Sequence, residues 1–345
     1  MRIGMIGCGT VAGYGHIPAL VNSEDWDLVA LSDTRAERLR ELGDKYGING
    51  LYTDYKELLA RPDIDAVAVA TPVGSHHPVV MAALEAGKHV FCEKPIANQV
   101  ELGWDMVNKA KSVNKILAIN FEMRAYSSMK RLREIIQSGE IGNVRFVRLT
   151  YNWAGPRLTN KERQRMMMTE GKGPIFDCGV HFFDLAHWFT GTEYKDVRAS
   201  GIYMEEFPYP DHVVATCRMS DGTLTIIDES WVYAHTVKKE TPIWIHRMEI
   251  EGDDGVVTEQ HDEIVVQNAQ GVRKEKFESQ GKPFGEMYHL FAESIKTGHL
   301  IDLAGGEDGV RAVAAAEAAL VSVVDEDKRI SAQSQSSNCG RKMAL

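Results

Sequence analysis

Residues 2–16, RIGMIGCGTVAGYGH, decide the fold of this chain. The apolar run 2–6 predicts a buried strand, and small residues follow it at Gly7, Gly9 and Ala12. This G-x-G-x-x-A spacing predicts a tight turn from a strand into a helix, where the backbone can approach a pyrophosphate. The start of the helix would present free N–H groups to that anion. The residues expected to contact a dinucleotide here are Gly7, Gly9, Thr10, Val11 and Ala12.

A carboxylate follows at the place where a bound ribose would lie. Asp33 ends the apolar run DLVALSD (27–33), about 20 residues beyond the glycine-rich turn, as in dinucleotide-binding folds. A carboxylate there accepts hydrogen bonds from the ribose hydroxyls and repels a 2′-phosphate, which predicts NAD rather than NADP as the cofactor. Arg35, two residues later, could soften this preference.

The first part of the chain alternates apolar strands with helical patterns. Strands that are apolar on both faces indicate a parallel sheet covered on both sides. We therefore expect residues 1–121 to form a doubly wound α/β domain of the Rossmann type. The predicted strands cover 2–6, 27–33, 65–71, 89–95 and 115–121, and the predicted helices cover 37–46 and 77–87.

The pattern changes after residue 121. An amphipathic helix over 127–142 precedes longer runs in which apolar and polar residues alternate, as in an antiparallel sheet with one open face. Residues 122–330 are predicted to form a second α/β domain with a large open, mostly antiparallel sheet, and 331–345 a mobile tail. The predicted strands cover 144–153, 213–233, 241–259 and 263–269, and two further helices cover 284–297 and 306–325.

Composition argues against several classes of protein. The 345 residues carry a formal net charge of −10, which argues against a nucleic-acid binder. No apolar run reaches the roughly 18 residues that a transmembrane helix needs, so no membrane span is predicted. The five cysteines are widely spaced and show no metal-ligand pattern, which predicts reduced thiols in a cytoplasmic protein.

The segment FDCGVHFFDLAHWF (176–189) predicts a mostly buried helix that carries an acid and a histidine one turn apart. Asp177, His181, Asp184 and Trp188 would share one face of it. A histidine is suited to accept a proton because its ordinary pKa is about 6.5. Alternatively, Asp177 and His181 satisfy each other inside the core. A metal site is not predicted, because the histidines of this helix do not share a face.

A lysine is predicted to lie at the same crevice. Lys94 ends the strand HVFCEKP (89–95), and the C-terminal ends of parallel strands form the ligand crevice of such sheets. The proline that follows ends the strand and favours an extended Lys94. By itself, the pattern is also consistent with an exposed lysine in a turn.

Five segments, in this order, resemble the Gfo/Idh/MocA oxidoreductases over nearly the whole chain. They are GCGTVA, ATPVGSHHP, EAGKHVFCEKPIA, RLREIIQSGEIGNVRFVRL and GPIFDCGVHFFDLAHW. The resemblance implies an N-terminal Rossmann domain and a C-terminal α/β domain whose open sheet often joins subunits into a homodimer or homotetramer. It also implies a nicotinamide cofactor and a sugar or cyclic polyol as the substrate.

The resemblance also implies roles for individual residues. His181 would be the general base, Lys94 would hydrogen-bond the same substrate oxygen, and Asp177 would orient His181 or bind a neighbouring hydroxyl. These three residues would contact the substrate as well. The remaining positions implied to line the cofactor are Thr71, Pro72, His76, Glu93 and Asn120.

The sequence departs from the family pattern where substrate would bind. FEMRAYSS (121–128) replaces the commoner asparagine-then-arginine-phenylalanine pattern, and residues 154–173 are individual. Trp153 and Arg157 are expected to contact a sugar, because an aromatic face packs on sugar C–H groups and arginine donates to hydroxyls. The basic segment 160–168 would meet an anionic group or form a solvated face.

Three functions remain open from the sequence. The leading one is an NAD-dependent dehydrogenase acting on a hydroxyl of a sugar, sugar derivative or inositol. The second is a glycoside-cleaving enzyme that works by transient oxidation and elimination with tightly held NAD. The third is a non-catalytic dinucleotide-binding sensor, which would have no need of Lys94, Asp177 and His181.

Overall fold

The computed structural model describes residues 1–153, 161–232, 244–278 and 281–324, and its strands form two sheets. The first is the predicted Rossmann-type sheet, in the order β15-β6-β5-β4-β1-β2-β3, and six of its seven strands are parallel. The seventh strand, β15, comes from much later in the sequence and is antiparallel to β6. The strands are β1 Arg2–Ile6, β2 Asp27–Ser32, β3 Gly50–Tyr52, β4 Ala66–Val69, β5 His89–Cys92, β6 Leu117–Ile119 and β15 Ala304–Gly305.

Helices connect the parallel strands, as expected for right-handed crossovers. A π-helical turn over Ala12–His16 follows the glycine-rich loop and runs into α1. Gly87 adopts a left-handed conformation (φ +72°) just after α4, as predicted for a glycine that ends a helix. The helices are α1 Ile17–Val21, α2 Ala36–Tyr46, α3 Tyr55–Leu59, α4 His76–Glu85 and α5 Val100–Ser112.

The second sheet has eight strands, in the order β14-β13-β12-β11-β7-β10-β9-β8. Its neighbours are antiparallel, except that β7 and β10 run parallel. The mostly antiparallel sheet is thus confirmed, with two strands (β8 and β14) that the sequence pattern did not predict. The strands are β7 Val144–Trp153, β8 Tyr194–Ile202, β9 His212–Met219, β10 Leu224–Ser230, β11 Trp244–Gly252, β12 Gly255–Gln260, β13 Glu263–Asn268 and β14 Gly271–Lys276.

The helices of the second half differ from the predicted ones in two places. The single helix predicted over 176–189 is wrong: two helices meet at Cys178, where His181 N bonds to Cys178 O (2.9 Å) in place of an i→i−4 bond. The helix predicted over 127–142 is shorter, because left-handed glycines follow it. The helices are α6 Ser127–Gln137, α7 Lys161–Thr169, α8 Pro174–Asp177, α9 Gly179–Thr190, α10 Phe284–Thr297 and α11 Gly306–Val324.

The chain returns to the first sheet near its end. In α10, Phe291 stacks on Trp26 (5.4 Å between ring centroids) and Tyr288 packs against Phe91 of β5 (4.8 Å). β15 then extends the same sheet beside β6. The first sheet is therefore not built from residues 1–121 alone, because β15 joins it from residues 304–305.

The two faces of the second sheet differ. Helices α6, α9 and α11 pack on one face, where Val147, Leu149 and Ile227 are fully buried. The other face is mixed rather than apolar, since it carries the ion pair Arg148–Glu249 (2.9 Å) beside the exposed Val214.

None of the helices in the described residues is both long enough and apolar enough to cross a bilayer.

Candidate active site

The two sheets face a common cleft of about 1690 Å³. Its floor is formed by the C-terminal ends of β1, β2, β4 and β5, and its far wall by α9 and the inner face of β7, β11 and β12. Most of the predicted site residues line it: Gly7, Gly9, Thr10, Val11, Asp33, Thr71, Pro72, Glu93, Lys94, Trp153, Asp177 and His181.

The glycine-rich loop fits a dinucleotide. Gly7 has φ +90°, and a Cβ there would lie 2.5 Å from Ala70 O, so no other residue fits. Above Gly9 the space is open, with no atom of the described residues within 4 Å of the position a Cβ would take. The loop therefore leaves room for a pyrophosphate to approach the backbone, as the fingerprint predicts.

Asp33 lies beside this loop with its carboxylate fixed from two sides. It accepts a hydrogen bond from Cys8 N (2.8 Å) and a bidentate pair from Arg35 Nε and Nη2 (2.8 and 2.9 Å). Partial burial raises the pKa of Asp33, but the Arg35 and backbone hydrogen bonds outweigh it and hold the pKa below its ordinary value. Asp33 is therefore an ionised acceptor at the cleft.

Three residues expected at the cofactor lie behind the cleft instead. Ala12 is fully buried under the loop. His76 is buried with its ring nitrogens 2.9 Å from Pro95 O and Thr71 O, so it supports the loops that line the cleft. Asn120 is buried and donates to Glu93 Oε1 (2.6 Å). Arg157, the predicted sugar contact, lies outside the described residues, as does the predicted tail 331–345.

Lys94 and Asp177 join the two domains across the cleft. Lys94 Nζ donates to the backbone oxygen (2.8 Å) and to Oδ1 (2.9 Å) of Asp177. Burial lowers the pKa of Lys94, yet the Asp177 carboxylate raises it above its ordinary value. Burial raises the pKa of Asp177, and the Lys94 ammonium brings it below its ordinary value. The pair is therefore charged.

His181 has a different acidic neighbour from the one expected. No hydrogen bond joins it to Asp177 among the described residues, because Asp177 lies at the end of α8 and faces Lys94. His181 Nε2 lies 3.5 Å from Glu122 Oε2, and Lys282 Nζ donates to the other oxygen of Glu122. Phe121 packs edge-on against the imidazole, 5.5 Å between centroids.

The imidazole of His181 is neutral and available. Burial lowers its pKa to about 4, against the opposing charge of Glu122. Its Nδ1 has no hydrogen-bond partner within the described part of the chain. A neutral histidine with one ring nitrogen that has no hydrogen-bond partner is able to accept a proton from a ligand hydroxyl.

Glu93 forms a fixed negative charge below Lys94. It accepts hydrogen bonds from Asn120 Nδ2 and lies 2.7 Å from His16 Nε2, whose Nδ1 contacts Tyr288 Oη (2.7 Å). Burial raises the pKa of Glu93, but these hydrogen bonds and the nearby Lys94 charge hold it below its ordinary value. Through Tyr288, helix α10 is thereby connected to the site.

Both halves of the chain match one protein family. Residues 1–121 match the oxidoreductase family with an NAD-binding Rossmann fold, and residues 129–258 match the GFO/IDH/MocA C-terminal domain. The chain belongs to the Gfo/Idh/MocA oxidoreductase family. It is an NAD-binding oxidoreductase, as the resemblance implied.

Several relatives of this Gfo/Idh/MocA oxidoreductase are dehydrogenases of polyols and sugars. It is 31% identical to the myo-inositol 2-dehydrogenase of Thermotoga maritima, over 95% of this chain and 97% of that protein. It is 33% identical to the D-glucoside 3-dehydrogenase of Escherichia coli, over 55% and 54%. The crystal structure of a probable dehydrogenase from Thermotoga maritima has a TM-score of 0.79 at 30% identity, covering 95% of this chain and 98% of that one.

The Gfo/Idh/MocA cleft also contains residues that sequence reasoning missed. Glu122 and Lys282 meet through long-range packing, and nothing in the sequence near either residue indicates their contact.

The basic segment 160–168 overlaps helix α7, which places Arg163 and Arg165 at the cleft. Asp184 pairs with Arg124 (2.7 Å) in the core. Further residues on the wall are Tyr151, His246 and Glu259.

Proposed function

We propose that this protein oxidises a secondary hydroxyl of a sugar, sugar derivative or cyclic polyol with NAD. The observation that carries the proposal is that Lys94, Asp177 and His181 line one part of a cleft whose other part is the glycine-rich loop. A substrate hydroxyl held between Lys94 and His181 would be at the reacting end of a dinucleotide that lies along that loop. NAD, when bound, supplies the hydride acceptor.

His181 takes the proton in this proposal. Its neutral imidazole accepts the hydroxyl proton while the carbon loses its hydride. Glu122, 3.5 Å from Nε2, favours the imidazolium that results. The positive charge would then be stabilised inside the cleft without a water molecule.

Lys94 stabilises the oxygen in this proposal. An ammonium group has three donors, and two of them reach Asp177. The third is available for the substrate oxygen, where it would stabilise alkoxide character. Asp177 fixes the direction of that donor and keeps Lys94 charged, a role different from the orientation of His181 that the family pattern first suggested.

Asp33 would select the cofactor. Its ionised carboxylate is suited to accept from the ribose hydroxyls and repels a 2′-phosphate. Arg35 is already engaged by Asp33 in a bidentate pair, which reduces its ability to bind that phosphate. Both features support NAD over NADP.

A substrate panel tests the proposal. Purified protein is incubated with NAD and, in turn, myo-inositol, scyllo-inositol, glucose and methyl glucoside, and reduced nicotinamide is followed by absorbance. We expect reduction with at least one of them, and its loss in His181→Ala. Absence of reduction with every sugar and polyol would contradict the proposal. Release of free sugar from the glucoside without net reduced nicotinamide would favour the glycoside-cleaving alternative.

A further inference from the structure

Part of the cleft wall carries polar atoms that the reaction above does not use. Trp153 Nε1, His246 Nε2 and Glu259 Oε2 are buried and have no hydrogen-bond partner among the described residues. They lie on three neighbouring strands, β7, β11 and β12, and all three residues line the cleft. Their unused polar atoms are therefore concentrated on one patch of the wall.

Strand register places these side chains on the inner face of the sheet. Tyr151 pairs directly with His246, and Glu259 pairs with the buried Met248. Paired residues of antiparallel strands point to the same face, so His246, Glu259 and Trp153 share the face of Tyr151 and Met248. This face is the one that meets α9.

The patch does not satisfy itself. His246 Nδ1 and Glu259 Oε2 are 3.8 Å apart, beyond hydrogen-bond distance. Glu259 lines the cleft and is only 2% exposed. Buried polar groups are hydrogen-bonded in most native proteins, and such an exception calls for an explanation. A ligand that supplies the missing partners is one.

The chemistry of the patch favours a neutral ligand rich in hydroxyl groups. A carboxyl oxygen, an imidazole nitrogen and an indole N–H provide both acceptors and a donor, as hydroxyls require. The aromatic rings of Tyr151 and Trp153, 6.2 Å apart, offer an apolar surface for sugar C–H groups. Asp262, a neighbouring carboxylate that also lines the cleft, would repel an anion such as phosphate.

The patch adjoins the reacting centre. Phe182 follows His181 in α9, and its ring lies 5.8 Å from that of Tyr151 and 6.2 Å from that of His246. We infer that Trp153, His246 and Glu259 form a second sugar subsite, so that the substrate has two rings, as a disaccharide or glycoside, with one ring at His181 and the other on this patch. The inference rests on the proposed function and narrows its substrate class.

Binding to the complex with reduced nicotinamide tests the subsite without turnover. Cellobiose and maltose are titrated into wild-type protein by calorimetry, with glucose and myo-inositol as single-ring probes. We expect one disaccharide to bind at least about tenfold more tightly than glucose, since one good hydrogen bond has about this effect. Glu259→Gln and His246→Phe should each weaken disaccharide binding about tenfold and leave glucose binding unchanged.

The matched control is Glu263→Gln. Glu263 is an acid of the neighbouring strand β13, ion-paired with the exposed Lys274 outside the cleft, and its loss should change no affinity. The subsite is overturned if neither disaccharide binds more tightly than glucose, or if Glu259→Gln and His246→Phe weaken both kinds of probe equally. The proposed oxidation fails separately, if no sugar or polyol reduces NAD.

Discussion

Lys94 Nζ donates to two oxygens of Asp177, the backbone oxygen at 2.8 Å and Oδ1 at 2.9 Å, although 83 positions separate the two residues. The bond connects the loop after β5 to the end of α8, so it holds the two domains together at the point where chemistry would occur. The contact between the two domains and the charge of Lys94 thus depend on the same residue, Asp177.

Replacement of Lys94 should reveal this coupling. Lys94→Ala should lower kcat by about 10²-fold or more, because it removes the donor to the reacting oxygen and leaves the Asp177 charge unpaired. Asp177→Asn should lower kcat less than Lys94→Ala does. In the double variant, the fold-loss in kcat should be smaller than the product of the two single fold-losses. Lys172→Ala is the control, since Lys172 also joins the two domains, through Asn98 O and Glu317, but outside the cleft. Additive losses would argue against a shared action.

His181→Ala should lower kcat by about 10²–10⁴-fold, the usual contribution of a general base, while NAD binding stays intact. The pKa of His181 is about 4, so its imidazole stays neutral near neutral pH. Protonation of His181 should therefore lower kcat/KM for oxidation only as the pH falls toward about 4. His89→Ala is the control, a half-buried histidine of similarly lowered pKa at the other end of β5. If the His181→Ala variant keeps near wild-type turnover, His181 is excluded as the base.

Cofactor preference should depend on Asp33. Asp33→Ala should reduce the ratio of kcat/KM for NAD over NADP by about tenfold or more, since it removes the ribose acceptor and releases Arg35 toward a 2′-phosphate. In Asp33→Ala/Arg35→Ala the gain with NADP should disappear. Asp63→Ala, at the opposite end of the sheet, should leave the ratio unchanged. A wild-type preference for NADP would contradict this reading of Asp33.

Glu259 should make stability depend on pH. Burial raises its pKa from 4.5 to about 7, so the folded state holds a proton that the unfolded chain releases above pH 4.5. The free energy of unfolding should therefore decrease as the pH rises from about 4.5 through 7, and the contribution lost from Glu259 is on the order of 3 kcal/mol at most. Glu259→Gln should unfold at a higher temperature than wild type at about pH 8 and at a similar one at about pH 5. An equal difference at both pH values would show that Glu259 ionises normally.

Assembly through the open face of the second sheet is a further expectation. Helices cover the other face, and Val214 on β9 is 37% exposed on the open one. We expect a homodimer or homotetramer, and Val214→Glu should shift it toward the monomer, because a buried unpaired carboxylate is costly. Val321→Glu is the control: Val321 is on the exposed side of α11, so this variant should keep the assembly of the wild type. Light scattering of the wild type at micromolar concentration would refute the expectation if it found only monomers.

Local patterns predicted the first sheet well. The glycine-rich turn is decided by a few neighbouring residues, and Gly7 has the positive φ that its motif requires. Buried parallel strands are nearly all apolar, so five strands of this sheet are visible in the sequence, although four of them are one to three residues shorter at an end than expected. The edge strands β3 and β15 of this sheet and β8 and β14 of the second sheet were missed, because edge strands are often short or polar and show weaker alternation.

The site was harder to predict because its partners come from distant segments. Lys94 and Asp177 could be placed at the cleft by motif, but not bonded to each other. Glu122 faces His181 only because the turn after β6 packs on α9, and no spacing rule connects residues 122 and 181. The assumption of one regular helix gave His181 the wrong acidic neighbour, because the kink at Cys178 turns Asp177 away.

The return of α10 and β15 to the first sheet has a consequence for synthesis. The six parallel strands are complete once residue 119 has left the ribosome, but Trp26 and Phe91 keep an uncovered apolar surface until Phe291 and Tyr288 follow. In topological terms, the second sheet is an insertion within the first domain. A fragment cut at residue 121 should therefore aggregate rather than fold as an independent nucleotide-binding unit.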